Sequence, residues 1–204
     1  MTARPLTLDD VSDLRAYEQE RVDFRRAVIA EKKVRRVTVG PVVTLTFESR
    51  MTVRFQVQEM ARAERLTTDA QVQHELDVYN KLLPAPGELS ATLFLELTTE
   101  EQLRAWLPKL VGIERSVDLL VGEGTGARMV GSVPEEEHRS QLTRLDVTSA
   151  VHYVRFPMAP DVVAAFAVGP VRLVVNHPEY PDGRPGQELS DATRAVLTED
   201  LTAS

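Results

Sequence analysis

The chain has 204 residues, 43% of them apolar and 27% charged, with a formal net charge of −7. That length and apolar fraction suit one domain with a filled core, or one domain with a long helical annex. The acidic balance argues against bulk attraction to nucleic acid or anionic lipid. The lack of cysteine excludes disulfides, thiolate nucleophiles and cysteine-held zinc or iron–sulfur clusters.

Any metal has to be held by the four histidines and by carboxylates. No apolar run approaches the roughly 20 residues that a membrane helix needs. The opening MTARPLTLDD lacks the apolar stretch of a secretory signal, so the cytoplasm is the expected location.

Residues 7–31 read as helical. Thr7 and Asp10 have the spacing of a capping box, and a break near Glu20 divides the segment in two. In KVRRVTVGPVVTLTFE the period changes to two, with Gly40-Pro41 as a turn, which predicts a hairpin. Helical spacing returns in MTVRFQVQEMARAER. Met51, Phe55, Gln58 and Arg62 form one stripe, and Val53, Val57, Met60 and Glu64 another.

AQVQHELDVYNKLL continues as helix until Pro84 and Pro86. ATLFLEL alternates as a strand, and TTEEQLRAWLPKL is an amphipathic helix capped by Thr98 or Thr99. SVDLLVGEGTGARMVG reads as two short strands around a glycine turn. TSAVHYVRF is a strand, APDVVAAFAVG a short helix, VRLVVNHP a last strand, and LSDATRAVLTEDL a helix capped by Ser190. Strands mixed with helices, without a βαβ rhythm, predict a single α+β domain over 1–204 with mainly antiparallel sheet.

Few motifs carry chemistry. Gly122, Gly124 and Gly126 have no Lys-Ser/Thr after them, so a hairpin turn fits better than a phosphate loop. The basic run from Arg21 to Arg36 could meet phosphates or form a solvated face. His152 shares a strand face with Ala150, Val154 and Phe156, so it points inward. There it is either a hydrogen-bonded core residue or a proton-transfer group.

His177 precedes Pro178 at a strand end and is held extended. His74 with Asp77 reads as a surface pair, and Glu135 with His138 is a single Glu-x-x-His where a di-iron site needs two. A central Gln58-Glu59 followed by Arg62 is costly to bury unpaired. It is either an internal polar network or the floor of a ligand pocket shared with Tyr79, Asn80, His152 and His177.

FRRAVIAEKKVRRVTVGPVVTLTFE, MTVRFQVQEMARAER, ELDVYNKLLP, ATLFLEL, LVGIE, TSAVHYVRF and NHPEYP together resemble an uncharacterised bacterial family of unknown function. The family pattern has Asp-His-Pro where this chain has Asn176-His177-Pro178. Members are often encoded beside rubrerythrin-like di-iron proteins and heterodisulfide-reductase-type iron–sulfur proteins.

The resemblance implies a non-thiol accessory or binding protein of an oxidative-stress or iron-linked redox module, with such a protein as its partner. A homo-oligomer is a further option. The alternative is a metal-binding protein or enzyme that uses histidine and carboxylate on a small polar ligand. Nucleic-acid binding through the basic run is the weaker alternative. The sequence assigns no catalytic residue and no cofactor.

Overall fold

The alternating segments pair into two antiparallel sheets in a computed structural model that describes residues 4–135 and 147–202. One sheet contains β1 (Arg36–Val39), β2 (Val43–Phe47), β3 (Glu88–Leu95), β7 (Val151–Pro157) and β6 (Val133–Pro134), in the order β1-β2-β3-β7-β6. The other contains β4 (Val117–Val121), β5 (Arg128–Gly131), β8 (Val171–Val175) and β9 (Gln187–Glu188), in the order β5-β4-β8-β9. The expectation of an α+β domain with antiparallel sheets holds.

Register explains the main core. Val37 lies opposite Leu45, Leu45 opposite Leu93 and Leu93 opposite His152, so these four share one face of the first sheet. Val43, Phe47, Ala91, Val154 and Phe156 stand on the same face by the two-residue period. They cluster with Val117, Leu119, Val121, Val171, Leu173 and Val175 of the second sheet. Two apolar faces thus close on each other and leave water, which is the main driving term for the fold.

The other face of the first sheet is polar along one row: Arg36, Thr46, Thr92 and Tyr153 are register partners in turn. Helix α2 (Arg50–Ala63) covers it. Its Thr52 bonds the buried Glu48 carboxylate, which also accepts from Thr92 (2.5 Å) and Gln56 (3.2 Å). A buried carboxylate is tolerable here because three donors replace its water.

Helix α1 (Leu14–Arg35) starts at Asp13, whose side chain accepts from Ala16 N. It packs on α2 through Tyr17, Phe24 and Phe55 in edge-to-face pairs. The remaining helices are α3 (Asp69–Tyr79), α4 (Glu100–Trp106), α5 (Pro160–Val168) and α6 (Asp191–Thr202). Among the described residues, no helix is long and apolar enough to cross a membrane.

Three sequence expectations need correction. Helix α1 runs through Glu20 without a break and continues to Arg35. Thr7 and Asp10 do form a capping box, but it starts a single 3₁₀ turn (Leu8–Asp10), not a long helix. On α2 the buried residues are Thr52, Val53, Val57, Gln58 and Ala61, while Met51 and Arg62 face outward.

Two glycines show how closely the strand ends pack. Gly183 lies so near Val175 that a Cβ would sit 2.1 Å from its carbonyl oxygen. Gly40, in the β1–β2 turn at φ +62°, would place a Cβ 2.6 Å from the Tyr180 hydroxyl. That buried hydroxyl donates to Val39 O (2.7 Å) and accepts from Val42 N (3.1 Å) and Val43 N (3.3 Å).

Candidate functional site

Three of the expected site residues meet at a groove between α2 and the 3₁₀ turn Asn80–Leu82. The groove is occupied by residues 4–13, which run across it as a strap. Asn80 accepts from Leu6 N (2.8 Å) and donates to Leu6 O (2.9 Å). Gln58 accepts from Ser12 N (2.6 Å) and donates to Ser12 O (3.1 Å). Each side-chain amide therefore meets the donor and the acceptor of one residue, as a neighbouring strand would.

Arg54 Nε adds a bond to Asp10 O (2.7 Å) and Arg50 Nε one to Arg4 O (3.1 Å). Arg50 also pairs with the Asp10 carboxylate at 2.7 Å and holds it down to about 2. Ser12 Oγ and Arg54 both reach Glu20, at 2.7 and 3.2 Å. The polar residue that looked like a helix break is an anchor for the strap.

Below the amides lies a second, smaller apolar core. Leu6 is 2% exposed and packs with Val53, Val57, Leu76, Leu82 and Leu83. Tyr79 and Tyr153 lean on the same cluster. Burial pushes the Tyr79 hydroxyl up to about 12.

Glu59 and Arg62 do not enter the groove. Glu59 takes both arms of the Arg21 guanidinium (2.7 and 2.8 Å) and the Tyr17 hydroxyl (2.7 Å). The Arg21 fork is the largest influence holding its carboxyl down to about 2. Arg62 pairs with Glu18 in the open. Both belong to the seam between α1 and α2.

His152 lies on the opposite side of the first sheet from α2, as the register partner of Leu93. Its Nε2 is 2.9 Å from Ser149 O and 3.0 Å from Thr148 Oγ1. A carbonyl only accepts, so Nε2 carries the proton. Burial lowers its pKa, and the Glu114 carboxylate opposes this. Glu114 is itself buried, and among the described residues its Oε2 has no hydrogen-bond partner.

His177 is elsewhere again. Its Nε2 donates to Val111 O (3.0 Å) and its Nδ1 accepts from Glu179 N (3.3 Å). It borders a cleft of about 250 Å³ with Asn176, Tyr180 and Arg184. Asn176 donates to the Asp118 carboxylate, whose pKa is raised by burial. The seven expected residues thus divide into a groove (Gln58, Tyr79, Asn80), a helix seam (Glu59, Arg62), the sandwich core (His152) and a strand end (His177).

The other motifs resolve simply. Gly124–Gly126 is a 3₁₀ turn between β4 and β5. In the basic run Arg21, Arg26, Arg35 and Arg36 each meet a carboxylate, and Lys32 sits over the Phe55 ring. Asp77 accepts from Gln73, and His74 is exposed. His138 lies outside the described residues. Among the described residues no group of three or more His, Cys, Asp or Glu side chains could hold a metal ion.

Sequence reasoning missed Leu6, Ser12, Arg50 and Arg54. One signal was available: positions 50, 54 and 58 are four apart, so Arg, Arg and Gln rise along one side of α2.

No curated protein matches the chain. Its fold is similar to a crystal structure of a novel protein of unknown function from Burkholderia pseudomallei. That match has a TM-score of 0.87 and 36% identity, and it covers 97% of this chain and 99% of the other. A family model described as "Protein of unknown function (DUF3501)" matches residues 5–201. Together these place the chain in the DUF3501 family.

Proposed function

We propose that the protein is a non-catalytic binding module, an accessory to an oxidative-stress or iron-linked redox system whose electron carriers reside in a partner. One observation carries the binding part of this reading. The amides at the centre of α2 and at its neighbouring turn are spent on main-chain recognition, and they address a peptide segment rather than a reacting group. The resemblance to proteins encoded beside di-iron and iron–sulfur proteins supports the redox part. Within such a module a cysteine-free chain leaves thiol and iron–sulfur chemistry to others.

Affinity purification of the tagged chain from its native host tests this. A di-iron or iron–sulfur protein that co-elutes and re-binds when purified is the expected result. Recovery of the chain alone, at native expression and low salt, overturns the redox assignment.

The buried Glu114 oxygen, without a partner among the described residues and close enough to His152 to influence its charge, favours a second reading as a His/carboxylate metal or ligand site. Elemental analysis separates the two. Stoichiometric iron, manganese or zinc that is lost in Glu114→Gln would favour the second reading.

A further inference from the structure

We infer that the groove between α2 and the Asn80–Leu82 turn is a peptide-recognition site, occupied in cis by residues 4–13 and open to a partner segment of the same kind. This rests on the reading of the protein as a binding module and names the surface that would do the binding.

The first argument is how the strap is held. Between Arg4 and Ser12 its main chain meets the body through the side chains of Arg50, Arg54, Gln58 and Asn80. Among the described residues, the backbone–backbone bonds of residues 4–12 are local, Asp10 N to Thr7 O and Val11 N to Leu8 O. Residues 4–12 can therefore leave without breaking a strand or a helix, while Asp13 stays behind as the cap of α1. Segments of this sort open locally at a lower cost than the core does.

The second argument is what the groove reads. Gln58 and Asn80 recognise N–H and C=O groups that every residue except proline offers. They fix position and direction but not sequence. Sequence enters through the apolar floor, which takes Leu6, and through Arg50, which takes the acid of the turn. The fitting ligand is thus a short segment with a buried leucine, then a Thr-x-x-Asp turn, then a second residue held by its main chain. Peptide recognition elsewhere divides its work in the same way, with main-chain bonds for affinity and side-chain pockets for specificity.

The third argument is fit. A cleft of about 300 Å³ remains beside the second half of the strap, bordered by Leu8, Val11, Ser12, Leu66, Thr68 and Val72. The cis segment leaves unfilled space that a longer side chain in trans could use.

The test uses the full-length chain carrying Leu6→Asp, which weakens the cis segment and leaves the groove intact. The probe is a fluorescent peptide with the sequence of residues 4–13, followed by anisotropy. Saturable binding is expected, with none for the same peptide bearing Leu6→Asp. Adding Gln58→Ala or Asn80→Ala should weaken binding about 10-fold or more. A folded Leu6→Asp protein that does not bind the peptide, or binds it equally well without the amides, overturns the inference.

If Leu6→Asp does not fold, hydrogen exchange on the wild-type protein decides. Leu6 and Ser12 amides that exchange about 100-fold faster than Val57 support an exchangeable segment. Equal protection overturns it by making the strap part of the core. Failure to co-purify a redox partner leaves both readouts untouched, so the two readings fail separately.

Discussion

Leu93 and Leu6 are both shut away from water, at 0% and 2% exposure, yet their surroundings differ in kind. Leu93 sits in a strand bonded on both sides, to β2 and to β7, and faces a second sheet. Leu6 sits in a strap whose main chain, among the described residues, is bonded to the body by side chains alone. The sandwich core is held by area and a continuous ladder. The smaller core is closed by a few directional bonds, each of which a single substitution removes. Equal burial therefore does not mean equal commitment to the fold.

The largest expected effect lies in the sandwich. Leu93→Ala should cost about 2–5 kcal/mol in global stability, the range for a buried leucine in a rigid site. Leu6→Ala should cost distinctly less in the same denaturant titration, because the strap can open before the rest unfolds. Equal losses would break the comparison.

Next comes the groove. Gln58→Ala leaves the half-buried N–H and C=O of Ser12 without their two side-chain bonds, for a loss of about 1–3 kcal/mol. Arg62→Ala removes only an exposed pair and should cost about 0–1 kcal/mol. Hydrogen exchange should show the Gln58→Ala loss concentrated at Ser12.

Acid should act on the sandwich core and on the α1–α2 seam in different pH windows. His152 has a folded pKa below its ordinary 6.5, chiefly through burial. As pH falls below 6.5 the unfolded chain takes up a proton that the buried ring does not, so stability declines. Thermal melts of His152→Asn should lose that decline. Glu59 is held at about 2 against an ordinary 4.5. Its contribution is present above 4.5 and is lost as pH falls from there toward 2. Glu59→Gln should lessen the decline in this lower window, where Asp10 also contributes, and leave the His152 window unchanged.

The smallest effect is a gain. Arg65 ends α2 at φ +54°, the left-handed region, and Leu66 N closes back onto Ala61 O at 2.9 Å. Glycine adopts that conformation without strain. Arg65→Gly should raise the melting point, by about 0.5–1 kcal/mol in stability.

These differences also mark what the sequence could tell. The sandwich was legible because Val37-Val39, Val43-Leu45-Phe47 and Leu93-Leu95 alternate, and alternation is what a half-buried strand requires. His152 was placed inward by the same rule. The strap was not legible. A main-chain amide held by a distant side chain leaves no period, and Leu6 to Asn80 spans 74 positions.

Glu20 misled for a related reason, since a carboxylate that binds Ser12 and Arg54 reads as a polar interruption. Of the expected pocket, Gln58, Tyr79 and Asn80 do lie near one another. Glu59 and Arg62 were drawn in by adjacency, although successive helical residues point in different directions. His152 and Glu59 stand on opposite sides of a sheet, which sequence spacing does not reveal.

The phenol of Tyr180 has a consequence for how the chain is made. It closes the β1–β2 turn by bonding Val39, Val42 and Val43, and it lies 141 positions downstream of Val39. At a ribosomal rate of about 5–20 residues per second, the interval between synthesis of the two is roughly 7 to 28 seconds. Through that time the hairpin exists without the group that clasps its turn. Contacts of such long sequence separation form slowly, so the β1–β2 turn is clasped only after synthesis has reached the last quarter of the chain.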